Sequence, residues 1–154
     1  MKNFLITIFL FTSLNAFASH EYNLTKTGVI LEGYDAVSYF QGATPKKGNA
    51  KFQTKVGDAT YWFSSEENKN TFLKDPKKYE PAFGGWCAYA VADSKSKVEV
   101  DPKSFLIQDG RLLVFYDGFL ADTRKKWSTT KDKTPATFLK EADTNWVEVK
   151  PKAP

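Results

Sequence analysis

Apolar positions in this chain come in short runs that are separated by polar, glycine-containing segments. Residues 52–63 run through Gly57-Asp58, and the β-rich segments 105–107 and 112–116 flank Asp109-Gly110. A Gly-Asp or Asp-Gly pair between β-rich runs is typical of a two-residue hairpin turn. The pattern therefore predicts two antiparallel hairpins.

Helix signals lie between and after these hairpins. Ser64 and Glu67 have the spacing of a capping box, and the helix that they open is predicted to stop at Pro76 or to start a second short turn there. Thr134-Pro135 has the form of an N-cap followed by a proline in the first helical position. This pair predicts a helix that runs through Ala142.

Three more segments complete the predicted elements. Asp35 is placed to cap a short helix over residues 37–40, residues 86–91 read as a buried strand, and residues 119–127 read as a helix. Hairpins combined with several short helices predict a single small α+β domain with an antiparallel sheet.

The first 18 residues have the organisation of a secretory signal peptide. Lys2 precedes a mostly apolar run over residues 4–14, which is too short to span a bilayer, and Ala16-Phe17-Ala18 reads as a small-x-small cleavage site. We therefore expect a periplasmic or secreted protein. The predicted parts are a signal peptide at 1–18, a flexible leader at 19–28, a domain at 29–147 and a disordered tail at 148–154.

The charge pattern argues against a nucleic-acid partner, and the apolar pattern argues against a later transmembrane span. The chain has 154 residues, a net charge of +4 and one cysteine, so its core must form without an internal disulfide. Arg111 and Arg124 are the only arginines, and the lysines are scattered among acidic residues. Nucleic-acid binding favours clustered arginine, so we expect no nucleic-acid partner. No later segment is apolar and long enough to predict a transmembrane span.

Cys87 is the first candidate for chemistry. It follows Gly84-Gly85, where the backbone can turn sharply or approach another group closely because neither residue has a Cβ. A thiol in this position is either a small buried hydrophobic group or a placed reactive group. The sequence leaves both interpretations open.

Metal ligands are scarce in this composition. The single histidine, His20, lies near the predicted mature start at Ser19, where the free amine and the imidazole would suit copper(II). Asp35 or Asp101 could join Cys87 around a divalent metal. The alternatives are a helix cap for Asp35 and a turn for Asp101. The cofactor is unknown, with a transition metal as the candidate.

Aromatic residues form a second set of candidates. Small-molecule sites are commonly aromatic with a few polar groups, but aromatic residues also fill cores. The candidate pocket residues are Tyr34, Tyr39, Tyr61, Trp62 and Trp86.

Five separated motifs, which lie in order between residues 33 and 146, resemble the small exported branch of the YHS-domain proteins. This resemblance implies a small α+β fold and an association with metal handling. In the metal-linked YHS proteins that this chain resembles, cysteines follow the aromatic strand. Residues 63–68 of this chain are FSSEEN and contain no thiol. The family's metal chemistry is therefore not carried onto those positions. The motifs are GYDAVSYF (33–40), YWFSSEENKNTFLKDPKKY (61–79), FGGWCAYA (83–90), DPKSFLIQDGRLLVFY (101–116) and ADTNW (142–146).

These observations lead to one functional hypothesis and two alternatives. We expect an exported, non-enzymatic YHS-like binding module that handles a metal or small ligand through Cys87. Its expected partner is an envelope protein or a small ligand. The alternatives are a single-thiol redox-reactive protein and a structural docking module of the cell envelope.

Overall fold

Three two-stranded antiparallel sheets and five α-helices make up residues 21–154, the part of the chain that the computed structural model describes. The predicted α+β class is confirmed. Short 3₁₀ turns at Leu31–Gly33, Ser38–Phe40 and Ala82–Gly85 join these elements. The strands are β1 (Asn49–Val56), β2 (Ala59–Phe63), β3 (Asp101–Gln108), β4 (Arg111–Phe115), β5 (Asp117–Gly118) and β6 (Ala121–Asp122). The helices are α1 (Glu66–Lys74), α2 (Pro76–Tyr79), α3 (Ala88–Ser94), α4 (Thr123–Thr129) and α5 (Pro135–Val149).

Both predicted hairpins are present. Strands β1 and β2 pair across Gly57-Asp58, and β3 and β4 pair across Asp109-Gly110, with Gln108 opposite Arg111. Both residues of the second turn have positive φ, 51° and 75°, as a type I′ turn requires. Local turn chemistry therefore sets the register of β3 and β4 next to their turn.

Strand β4 is the central element because it belongs to two hydrophobic clusters. Its side chains alternate between the two faces, as successive residues of a strand must. Leu112 and Val114 pack into the first cluster with Tyr39, Tyr61 and Phe72. Leu113 and Phe115, on the opposite face of β4, pack into a second cluster with Phe83, Trp127 and Phe138.

The predicted strand over residues 86–91 is wrong, since the chain forms helix α3 from Ala88. A short apolar run does not distinguish a strand from a buried helix, and alanine at positions 88, 90 and 92 favours the helix. Helix α3 packs against α5, and it buries Val91 completely.

The predicted helix over residues 119–127 begins too early. Residues 117–122 form the small hairpin β5–β6, and α4 starts at Thr123 with Asp122 as its N-cap. The capping prediction for α1 is wrong by one residue, because Ser65 accepts the N–H of Asn68. Ser64 has a different partner, described below.

The remaining helix predictions differ from the structure in extent. Thr134 caps α5 as predicted, but the helix continues to Val149, so the predicted tail at 148–154 begins inside it. The short helix predicted after Asp35 is the single 3₁₀ turn Ser38–Phe40. Within residues 21–154, no helix is long and apolar enough to cross a bilayer. The predicted signal peptide lies outside the described residues.

Candidate functional site

The Gly84-Gly85 pair holds the first described residues of the chain, which we call the strap (residues 21–23). Asn23 donates its backbone N–H to the carbonyl of Gly84 (2.8 Å) and its side-chain amide to the carbonyl of Gly85 (3.2 Å). Trp86 Nε1 donates to the carbonyl of Glu21 (3.1 Å). A Cβ on Gly84 would lie 2.0 Å from that same carbonyl oxygen. The glycine therefore permits the close approach of the strap, and the segment predicted as a flexible leader is packed from residue 21.

Cys87 lies just beyond the strap contact and has no exposed surface. Its Sγ accepts the backbone N–H of Tyr116 (3.4 Å) and lies 3.3 Å from Thr123 Oγ1. The Thr123 hydroxyl donates its one proton to the carbonyl of Tyr116 (2.7 Å), so the Cys87 S–H is the donor to Thr123 Oγ1. The three residues close a ring of hydrogen bonds in which the sulfur has two partners.

This ring connects the start of α3 to the base of the β5–β6 hairpin. Tyr116 directly precedes β5, and Thr123 directly follows β6. The backbone N–H of Thr123 also donates to the carbonyl of Tyr116 (3.0 Å). Cys87 therefore holds the two ends of the hairpin from inside the protein.

Asp35 is also fully buried, but it belongs to a separate network. Its Oδ1 accepts the N–H of Val37 (2.9 Å), and its Oδ2 accepts the backbone N–H (2.8 Å) and hydroxyl (2.6 Å) of Ser64. Asn68 Nδ2 also donates to Oδ2 (2.7 Å) and is the fourth donor to the carboxylate. The carboxylate thus joins the 3₁₀ turn after Asp35 to the start of α1, which is a structural role.

Among the described residues, the predicted metal ligands Cys87, Asp35 and Asp101 do not form a common site. Asp101 is half-buried in β3 and accepts the N–H of Lys103 (2.8 Å), while His20 lies outside the described residues. Within residues 21–154, no three His, Cys, Asp or Glu side chains form a group that could hold a metal ion. The donors around Cys87 are a hydroxyl and a backbone amide, which do not fit a transition metal.

The candidate aromatic residues are all buried or half-buried. Tyr39 is buried, donates its hydroxyl to the carbonyl of Pro102 (2.9 Å), and has its pKa raised by burial. Tyr61 is also buried in the first cluster, Trp62 covers Gly33 and Gly48, and Tyr34 is half-buried. A cleft of about 110 Å³ beside the strap has none of the candidate aromatics in its wall. Three other clefts have volumes of about 300–330 Å³, and none of the candidate aromatics lines them either.

Sequence reasoning missed the most exposed apolar feature of the described residues. Phe119 is fully exposed and Leu120 is 84% exposed, and together they form the tip of the β5–β6 hairpin. The sequence does carry a signal for this hairpin, because the turn-forming pair Asp117-Gly118 and the capping residue Asp122 lie on either side of the two apolar residues.

Comparison of the chain with protein-family models, curated proteins and solved structures found no match.

Proposed function

We propose that this protein is an exported, non-enzymatic binding module of the YHS-like type that attaches to the cell envelope through the tip of its β5–β6 hairpin. The carrying observation is the exposure of Phe119 and Leu120 side by side at this tip. Single exposed apolar residues are common on protein surfaces, but burial of each of these would stabilise a contact by about 1.5–3 kcal/mol. The exposed pair therefore favours a surface that contacts a partner when the protein functions.

The hairpin is suited to binding because its base is held in place. Thr123 makes two hydrogen bonds to the carbonyl of Tyr116, and the side chain of Asp122 caps α4 by accepting the N–H of Lys125 (2.8 Å). The Tyr116 ring also packs closely on Gly118, where a Cβ would lie 2.5 Å from the tyrosine hydroxyl. A pre-formed element loses little conformational freedom on binding.

The environment of Cys87 supports docking over the two thiol-based hypotheses. A reactive or metal-binding cysteine needs access and a neighbour that stabilises the thiolate. The sulfur of Cys87 is buried and shares hydrogen bonds with Thr123 and Tyr116. A structural role for the thiol, holding the docking hairpin, agrees with this environment.

The test is the distribution of the exported protein between envelope-bound and free fractions in cells. In the double variant Phe119→Ser/Leu120→Ser we expect most of the bound fraction to become free, because the apolar tip is removed. Val147→Ser changes another highly exposed apolar residue, on α5, and should leave the distribution unchanged. The same bound fraction for the wild type and the double variant would contradict the proposal.

A further inference from the structure

We infer that the partner of the β5–β6 hairpin is the surface of an anionic lipid bilayer, an inference that rests on the proposed docking function. Phe119 and Leu120 enter the interfacial region, and Arg124, Lys125 and Lys126 contact the lipid phosphates.

The shape of the hairpin matches shallow insertion. Two residues of strand on each side separate the apolar tip from Tyr116 and Thr123. At a rise of about 3.3 Å per residue, the tip projects roughly 7 Å from the base. Apolar groups of interfacial elements lie about 5–10 Å deep at the boundary between headgroups and acyl chains. The hairpin therefore has the reach for this depth but not for crossing a membrane.

The charge beside the hairpin complements anionic lipid. Arg124, Lys125 and Lys126 occupy the first turns of α4, directly after β6, and all three are exposed. None of the three forms an ion pair within residues 21–154, whereas Lys133, a few residues later, binds Glu141 (2.7 Å). Lys126 Nζ lies 5.8 Å from the centre of the Tyr89 ring, and Arg124 and Lys125 directly precede it on the helix. Three cations without an ion-pair partner, next to an apolar tip, complement an anionic membrane surface.

Two acidic residues in the hairpin set a limit on this attraction. Asp117 and Asp122 lie directly opposite each other in the β5–β6 pair. Asp122 turns its carboxylate to the N-terminus of α4, where it accepts the N–H of Lys125. Asp117 is exposed and opposes binding to a negative surface, so its removal should strengthen binding.

The size of the contact favours a bilayer over a protein groove. A stable protein–protein interface buries about 1,200–2,000 Å² in total. Phe119 offers roughly 150–250 Å², and Leu120 offers less. A fluid bilayer needs no matching shape, so two apolar side chains and a few cations are sufficient for reversible binding.

The experiment is flotation of the exported protein with lipid vesicles, after intact-mass analysis shows that every variant has the same N-terminus. One vesicle set is phosphatidylcholine alone, and the other contains about 30% phosphatidylglycerol, which adds the negative surface potential. We expect the wild type to bind the anionic vesicles, and to be released when ionic strength rises from about 0.05 M to about 0.5 M.

The variants separate the apolar and the charged contributions. We expect Phe119→Ser/Leu120→Ser, and separately Arg124→Gln/Lys125→Gln/Lys126→Gln, each to weaken binding by about tenfold or more. Asp117→Asn should strengthen it. Two controls should bind like the wild type: the apolar control Val147→Ser, and a charge-matched control on β1 and α1, Lys51→Gln/Lys55→Gln/Lys74→Gln.

Three results would overturn the inference. The first is that the wild type does not bind anionic vesicles. The second is that the apolar-tip variant or the α4 charge variant binds as strongly as the wild type. The third is that the charge-matched control loses as much binding as the α4 charge variant. If the hairpin variant also leaves the envelope-bound fraction in cells unchanged, the docking function fails as well. If that fraction depends on the hairpin while vesicles are not bound, docking stands and the partner is a protein or a second copy of this chain.

Discussion

At the scale of single residues, the only cysteine is a buried hydrogen-bonding group with two partners. Free cysteine behaves as a small apolar residue in most cores, and its S–H is a weak donor. Here the sulfur satisfies the N–H of Tyr116 and the hydroxyl of Thr123 without exposure to solvent. Its removal should therefore affect stability before it affects any reaction.

Replacement of Cys87 by alanine should destabilise the fold by about 1–3 kcal/mol, because it leaves the partly buried Tyr116 N–H without its acceptor. Serine should also destabilise it, since the shorter C–O bond draws the acceptor away from that N–H. The measurement is urea unfolding of both variants. Thr27→Ala is the control, because Thr27 is exposed and its side-chain contact is a surface hydrogen bond with Thr25.

The native thiol should also react slowly with a labelling reagent compared with the unfolded chain. Labelling at the same rate in folded and unfolded protein, or a Cys87→Ala variant as stable as the wild type, would contradict the structural role. Either result would favour a reactive thiol.

At the scale of elements, prediction from sequence succeeded where the cause was local. Asp109-Gly110 specifies a hairpin because both turn positions take positive φ, and Thr134 specifies a helix start because its side chain accepts the N–H of Thr137 (3.1 Å). Prediction from sequence failed for α3, where a short apolar run fits either a strand or a helix. Packing against α5, more than 40 residues later, decides that case.

The candidate site was less predictable than the fold for the same reason. The glycines at 84 and 85 were recognised as a place of close approach, but their partner lies about 60 residues earlier in the chain. Burial of Cys87 depends on Tyr116 and Thr123, which follow it by 29 and 36 residues. No periodic pattern carries such contacts, because they arise only when the elements pack.

A series of three glycine-to-alanine variants separates steric contact from backbone conformation. Gly84→Ala should be the most destabilising, by about 2 kcal/mol or more, because it combines positive φ with a clash against Glu21. Gly110→Ala has positive φ but open space, so we expect about 1 kcal/mol. Gly42→Ala has neither constraint and is the control, with no loss expected.

Denaturant unfolding measures the stability losses of the three variants, and hydrogen exchange of the Asn23 amide measures how often the strap opens. Faster exchange of that amide in Gly84→Ala, but not in Gly110→Ala, is the expected result. Equal stability for Gly84→Ala and Gly42→Ala would show that the strap does not need the glycine.

At the scale of the whole molecule, β4 makes one cooperative unit of the two hydrophobic clusters. Leu112 faces the first cluster and Leu113 faces the second, and both are completely buried. Loss of either cluster would expose one face of the same strand. Two packed regions that share a central strand should therefore unfold together.

We expect Leu112→Ala and Leu113→Ala each to lower the free energy of unfolding by about 2–5 kcal/mol, the cost of a large-to-small change in a packed core. In both variants, the transitions followed by tryptophan fluorescence and by far-UV circular dichroism should coincide. Ile107→Ala on β3 is the partly exposed control and should lose less. Separate transitions in either core variant would show that the clusters are independent.

The strap has a consequence for the order of events as the chain folds. Its hydrogen bonds join residues 21–23 to residues 84–86, and Lys150 adds an ion pair with Glu21 (2.8 Å). Ribosomes make the N-terminus first, but these contacts require chain that is made much later. Contacts between residues so far apart in sequence also form slowly, because a long loop must close. We therefore expect the first described segment to be synthesised to be among the last to reach its native place.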